Sequence, residues 1–295
     1  MKLLICTQMV DSEDPILGFF VRWIEEFAKH CGKVTVICLR SRTQTVPSNV
    51  NVFTLEEGSR LSRVWRLWRL CVSLRRDYDA VFVHMNPEYV VAAGVLWRLM
   101  RKRIALWYTH KSVNLKLRIA AFWADVIFTA SKESFRLRSA KIRVMGHGID
   151  TDFFTPYPAV PHSGALLSVG RLMPSKRHDL AIRIAAKEGK PLRIVGDGPE
   201  HAKLAALARE LNADVQFLGA LSQEQLRDEY RRAACLIHTS ETGSLDKVVL
   251  EAVACGLPIR TNDPALNIFE NADPAYVREH HSLQKLIPAI IRAFS

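Results

Sequence analysis

Short apolar, β-branched runs alternate with longer stretches in which apolar residues recur every three or four positions, almost from one end of the chain to the other. The runs at residues 3–7, 34–39, 80–84, 104–108, 126–129 and 142–145 predict one series of strands, and those at 165–169, 192–195, 215–218, 235–238 and 258–259 a second. Between them, 19–30, 62–75, 115–123, 178–187, 200–211 and 223–233 carry the helical period, and a short helix is expected near 283–294. The apolar run at 89–97 suits a buried strand or a helix face equally. Strand, crossover helix and strand, repeated, is what a parallel sheet wound on both faces requires. The segment 150–164, with Pro156, Pro158, Pro161 and then Ser163-Gly164, is the best linker. It divides the chain into domains of residues 1–155 and 156–295, each of ordinary size.

Composition narrows the class. Hydrophobic residues at 48% and charged residues at 24% describe a globular chain. No apolar run approaches the roughly 18–20 residues of a membrane span. Leu3-Leu4-Ile5-Cys6 is too short for a secretory leader and is expected to be the first strand. The six cysteines form no CxxC pair and sit among apolar neighbours, so buried free thiols in a reducing compartment, the cytoplasm, are expected rather than structural zinc. The net charge of +11 is uneven. From Arg60 to Arg143 there are 18 Lys and Arg against five Asp and Glu, and the rest of the chain is nearly neutral. Such a field suits nucleic acid, an anionic membrane surface or a phosphorylated substrate.

Three stretches carry candidate chemistry. In Ser168-Val169-Gly170-Arg171-Leu172-Met173-Pro174-Ser175-Lys176, a strand ends in Gly-Arg and a lysine stands near the next helix. Two cations there can clamp a diphosphate and stabilise it as a leaving group, or can simply be solvated loop charges. Gly196-Asp197-Gly198 ends another strand, where glycines admit a ligand or only allow a turn. In the third, Ser244 can cap a helix, Lys247 falls in its first turn, and Glu251 lies four residues on, on the same face. Glu251 can accept from ribose hydroxyls, or can pair with Lys247 on a solvated face.

SVGRLMPSKRHDLAI, RIVGDGPE and GSLDKVVLEAVACGLPI, in this order and spacing, resemble the C-terminal domain of family 4 (group 1) retaining glycosyltransferases. YDAVFVHMNP, WYTH and GHGIDTDFF resemble its N-terminal half more loosely. The resemblance implies the GT-B architecture: two Rossmann-like, doubly wound parallel-sheet α/β domains facing a cleft, the first serving the acceptor and the second a nucleotide diphosphate sugar. It implies that Arg171 and Lys176 bind the donor diphosphate, that Glu251 binds the ribose, and that Gly170, Gly198, Gly243, Ser244, Leu245 and Lys247 line the donor. Gly18 then belongs to a glycine turn near the donor phosphates, and His110 is placed near the donor sugar as a positioning residue. No metal and no cofactor is implied, because basic side chains and helix dipoles take over the role of a divalent ion. Two departures stand out. Gly243 occupies the place of the first glutamate of the family's E-x7-E motif, and Glu241 is not in register to replace it. Only residues 261–295 follow the last strand, so the closing helix of the family is expected to be missing or reduced.

The remaining constellations have plainer readings. Asp77-Tyr78-Asp79 and Asp150-Thr151-Asp152 read D-x-D but stand on no expected strand end, so neither is taken as a metal site. His84 reads as structural, His147 as a turn residue and Ser131 as a helix N-cap. In 60–76, arginines interleave with Trp65 and Trp68. The favoured reading is a crossover helix with its tryptophans on the sheet, while the basic half as a whole favours peripheral contact with an anionic membrane. Retaining sugar transfer to a glycan or lipid-linked hydroxyl is the function expected, on the inner face of the plasma membrane. The rivals are an epimerase or phosphorylase of the same fold, a non-catalytic nucleotide-sugar or glycan-binding subunit, and a nucleic-acid binder for which no motif is present.

Overall fold

The computed structural model of the protein describes residues 1–295 apart from 43–44, 57, 158–162, 241–244 and 295. The chain forms two units, Met1–Gly148 with Leu283–Ser295, and Ile149–Ser282. The first runs β1 (Lys2–Val10), α1 (Phe19–His30), β2 (Lys33–Ser41), β3 (Val50–Thr54), α2 (Arg60–Ser73), β4 (Ala80–His84), α3 (Pro87–Leu99), β5 (Arg103–Trp107), α4 (Leu115–Trp123), β6 (Val126–Thr129) and β7 (Ile142–Val144). The second runs β8 (Leu166–Val169), α5 (His178–Glu188), β9 (Leu192–Val195), α6 (His201–Glu210), β10 (Val215–Gly219), α7 (Gln223–Arg232), β11 (Cys235–His238), α8 (Lys247–Ala254), β12 (Ile259–Thr261) and α9 (Pro274–His280). A last helix, α10 (Leu283–Arg292), returns to the first unit.

Among the described residues the strands are ordered β3-β2-β1-β4-β5-β6-β7 in one sheet and β10-β9-β8-β11-β12 in the other, with every neighbouring pair parallel. β1 shows why its run is apolar without alternation. Leu3 and Ile5 pack with α1 on one face, while Leu4 and Cys6 pack on the other with α2, α3 and α4. A strand covered on both sides has no polar face to offer. α1 buries Phe20, Trp23, Ile24 and Phe27, the spacing of one helical stripe. The cysteines are free, most of them buried, and burial pushes Cys38, Cys71 and Cys255 up to about 12.

Two expectations are corrected. The division falls at Gly148–Ile149 rather than at 155–156, and the closing helix is neither missing nor left with the second unit. α10 lays Leu283, Leu286, Ile287 and Ile290 beside α1 in the core of the first unit. Its seat depends on Gly148, where an added Cβ would lie 2.5 Å from both Leu286 Cδ2 and Trp23 Cζ2. Trp23 Nε1 also donates to the Gly148 carbonyl at 3.1 Å. β3, α3 and α9 are elements that periodicity did not resolve, and no helix forms after Ser131, whose Oγ instead accepts from the Ser134 N–H in a local turn.

Ile287 is fully buried, so Ile287→Ala should cost the first unit about 2–5 kcal/mol. Hydrogen exchange of the α1 amides should rise accordingly, while the amides of β8 and β9 stay protected.

Candidate functional site

The second sheet reverses its strand order between β8 and β11, and a doubly wound sheet binds ligands outside the carboxyl ends of the strands at such a point. The loop after β8 is fixed by its neighbour. Gly170 N–H donates to Val195 O at 2.9 Å and Leu172 N–H to Asp197 O at 2.9 Å. This backbone-on-backbone packing leaves no room beyond hydrogen at Gly196, where φ is +133° and an added Cβ would lie 2.0 Å from the Gly170 carbonyl oxygen. At Gly198 it would lie 2.5 Å from the Leu172 carbonyl oxygen. Gly198, expected to line the donor, is thus accounted for by its contact with the loop after β8. Gly170 faces Lys176, whose Cδ would lie 3.5 Å from an added Cβ.

The loop ends in a short 3-10 turn, Pro174–Lys176, followed by Arg177 in the left-handed region. Lys176 Nζ donates to Asp246 Oδ2 at 2.5 Å and to Ser240 Oγ at 3.4 Å. His238, at the end of β11, brings its Nε2 to the same Asp246 oxygen at 3.0 Å. Thr239 Oγ1 donates to the carbonyls of Lys176 and Arg177 at 3.0 and 2.8 Å. Burial alone would raise Asp246, but the His238 hydrogen bond and the Lys176 charge prevail and hold its carboxyl at about 2. Arg171, in the same loop, is exposed; its carbonyl accepts from the Met173 N–H at 2.8 Å, and its guanidinium makes no hydrogen bond or ion pair among the described residues. One held cation and one open cation therefore sit at the switch point.

α8 supplies the third wall. Its N-cap is Asp246; Ser244, expected to cap this helix, and Gly243 lie outside the described residues. Leu245 is partly buried against the core of the second unit. Lys247 Nζ does pair with Glu251 Oε1 at 3.1 Å, but not on a solvated face: Glu251 is 2% exposed. Its other oxygen accepts from Tyr230 OH at 3.2 Å. Burial first, and the Glu251 charge second, push the Tyr230 phenol well up, so it remains a donor.

Gly18 and His110 belong to the first unit. Gly18 starts α1, and an added Cβ would lie 2.5 Å from Asp14 O and 2.6 Å from Ser12 O, so the 11–18 turn needs glycine there. His110, exposed beyond β5, accepts the Ser112 N–H on Nδ1 at 3.0 Å, which leaves the proton of the neutral ring on Nε2. His84 is structural as expected, stacked on Phe20 with centroids 3.9 Å apart. Asp246, His238 and Ser240 are site residues that motif reading missed. The one signal was an acid next to Lys247 at a helix start.

Residues 155–294 match the family model described as glycosyl transferases group 1. Over these residues the chain is similar to the group 1 glycosyl transferases. The D-inositol 3-phosphate glycosyltransferases of Mycobacterium sp. strain KMS and of Kribbella flavida are each 34% identical to it, over 137 and 145 residues. Each match covers 41% of this chain, and about a third of the relative's length, 31% and 34%. Solved structures share the fold across nearly the whole chain. Anabaena Alr3699/HepE, in complex with UDP and glucose, superposes with a TM-score of 0.74 at 16% identity, covering 99% of both chains. A glycosyltransferase of Rickettsia africae ESF-5 superposes with a TM-score of 0.72 at 12% identity, covering 99% of this chain and 98% of that one. The two parallel-sheet domains are thus of the GT-B kind, and the group 1 family match contains the β8–β11 switch point with Lys176 and Asp246.

Two outcomes follow from this geometry. Gly196→Ala should destabilise the second unit by at least about 2 kcal/mol through overpacking, measured by denaturant unfolding. Burial also pushes the His178 ring, 2.9 Å from Ser168 Oγ, down from 6.5 to about 4, with the backbone of Gly170 and Arg171 offsetting only part. A depressed histidine is protonated in the unfolded chain first, so its contribution to stability is whole above pH 6.5 and is lost as pH falls towards 4. His281, likewise at about 4, adds to the same limb. His178→Gln should flatten that limb without abolishing it, measured as stability against pH.

Proposed function

We propose that this protein is a retaining glycosyltransferase that takes a sugar from a nucleotide diphosphate sugar and delivers it to a hydroxyl of a glycan or lipid-linked acceptor. The observation that carries this is that the loop after β8, at the switch point of a sheet within the group 1 family match, holds both Arg171 and Lys176. Sugar-phosphate cleavage leaves negative charge on the departing diphosphate, and pre-positioned cations lower its energy. In the reaction the anomeric C–O bond to the diphosphate breaks and a new C–O bond to the acceptor forms on the same face. The acceptor proton passes to a phosphate oxygen, so no side chain need act as base. Glu251, held at both oxygens, serves the ribose by exchanging the Lys247 or Tyr230 contact for a sugar hydroxyl. His110 presents an Nε2–H donor that positions the sugar.

The first unit supports the acceptor side of this reading. A cavity of about 310 Å³ opens at the ends of β1, β2 and β4, lined by Gln8, Leu39, Arg63, Asn86 and Tyr89 among others. It offers amide and guanidinium donors over an apolar floor, which suits an amphiphilic saccharide. The complex of Anabaena HepE with UDP and glucose, and the D-inositol 3-phosphate in the names of the relatives, support a nucleotide donor and a hydroxyl-bearing acceptor. The surplus of basic residues between Arg60 and Arg143 supports work at the cytoplasmic face of an anionic membrane.

A thermal-shift series over nucleoside diphosphates tests the donor site. One of them, at about 100 times its dissociation constant, should add roughly 2.7 kcal/mol of stability. Arg171→Ala, at an exposed position, should remove that shift and leave the unliganded midpoint unchanged. No shift with any nucleoside diphosphate rejects the donor reading.

A further inference from the structure

The first unit keeps two helix layers, and only one of them is conventional. α1 turns its polar residues to solvent, but α2 buries only Leu67 and Cys71. Its tryptophans do not face the sheet, as sequence reading favoured. Trp65 is 63% exposed and Trp68 50%, and with Leu61 they form one outward stripe at helical spacing. α3 and α4, packed on the same sheet face beside α2, continue the pattern with Leu99 at 77% and Phe122 at 71% exposure. Large apolar side chains exposed in adjacent helices, rather than singly, mark an interaction surface.

Charge decides what covers it. Residues 60–123 hold 13 Lys and Arg and three acids. Those acids are engaged, Asp77 with Lys33, Asp79 with the Lys2 backbone N–H and Glu88 with Lys116. Arg69 lies over the Trp65 ring at 5.3 Å, a cation and an interfacial aromatic in one place. A second copy of this chain would bring two strongly positive faces together. A nucleic acid would use the arginines but leave the aliphatic stripe in water. A bilayer with acidic headgroups satisfies both, with the arginines at the phosphates and the tryptophans and leucines in the interfacial layer. Among the described residues no helix is long and apolar enough to cross a membrane, so the contact is peripheral.

We propose that the outward face of α2, α3 and α4 seats the protein on an anionic lipid bilayer, with Leu61, Trp65, Trp68, Leu99 and Phe122 entering the headgroup region. The seat gives partner and place to the acceptor reading, because α2 also walls the first unit's cavity through Arg63 and Val64. An amphiphile lying in the same bilayer then reaches that cavity from the lipid side.

Co-sedimentation with vesicles tests the seat independently of donor binding, so failure of one leaves the other standing. The protein should pellet with phosphatidylcholine–phosphatidylglycerol vesicles at about a three-to-one ratio and not with phosphatidylcholine alone. The combined variant Leu61→Ser, Trp65→Ser, Phe122→Ser, all at exposed positions, should weaken binding at least about tenfold with an unchanged thermal midpoint. Trp68 is left in place because its Nε1 donates to Ala92 O at 2.7 Å. The proposal fails if the wild type does not pellet, or if the variant binds as tightly as the wild type. It fails equally if the apolar variant instead abolishes a dimer seen by sedimentation velocity without lipid.

Discussion

Asp246 accepts from Lys176 and His238 through one carboxylate oxygen, and three chain segments meet at it: the loop after β8, the end of β11 and the start of α8. Removing that much charge from water is costly, and it is offset only because both donors close on the acid with charge-assisted geometry. The rest of the site follows from this joint. The β8 loop must lie low enough to present Lys176, which forces Gly196 and Gly198 against its backbone. α8 must begin where Asp246 ends, which sets Glu251 under Lys247 and Tyr230. Lys176 is thereby held against a carboxylate in the unliganded protein, while Arg171 stays open to solvent. On the proposed donor reading, a diphosphate would have to draw Lys176 from Asp246, so its charge would be recognised in competition with an internal anion.

Much of the fold was legible because its physics is local. β1, β4, β5 and β8 are apolar runs of strand length, and α1 and α7 show helical periodicity with α7 closed by a Ser222–Gln225 capping box. What escaped was whatever depends on the partner of an element. β3 is only Val50–Thr54, an edge strand with a half-polar pattern. α3 carries apolar Val91, Val95 and Leu99 on its exposed side, so its sequence has no polar face to reveal a period. α10 reads as an amphipathic helix wherever it packs, and only Gly148 and Trp23 show which unit owns it.

The candidate site was legible in the same measure. Arg171, Lys176, Lys247 and Glu251 were visible as motif positions, whereas their states were not. Spacing allowed a Lys247–Glu251 pair but not its burial under Tyr230, which comes from α7. Asp246 and His238 are eight residues apart and meet only because β11 and α8 converge. The glycine pattern admitted a ligand or a tight turn, and the structure assigns Gly196 to neither, but to contact with the adjacent loop. Trp65 and Trp68 had been assigned to the sheet on the ordinary logic of amphipathic helices, and that logic fails where both faces of a helix have work to do.

The structure of the protein with a nucleoside diphosphate bound decides whether Arg171 and Lys176 together receive a diphosphate. β-Phosphate oxygens should lie within about 3 Å of the Lys176 ammonium and the Arg171 guanidinium, with the Lys176–Asp246 contact lengthened. A nucleotide bound elsewhere, with Lys176 still closed on Asp246 and Arg171 still in solvent, would contradict the donor reading.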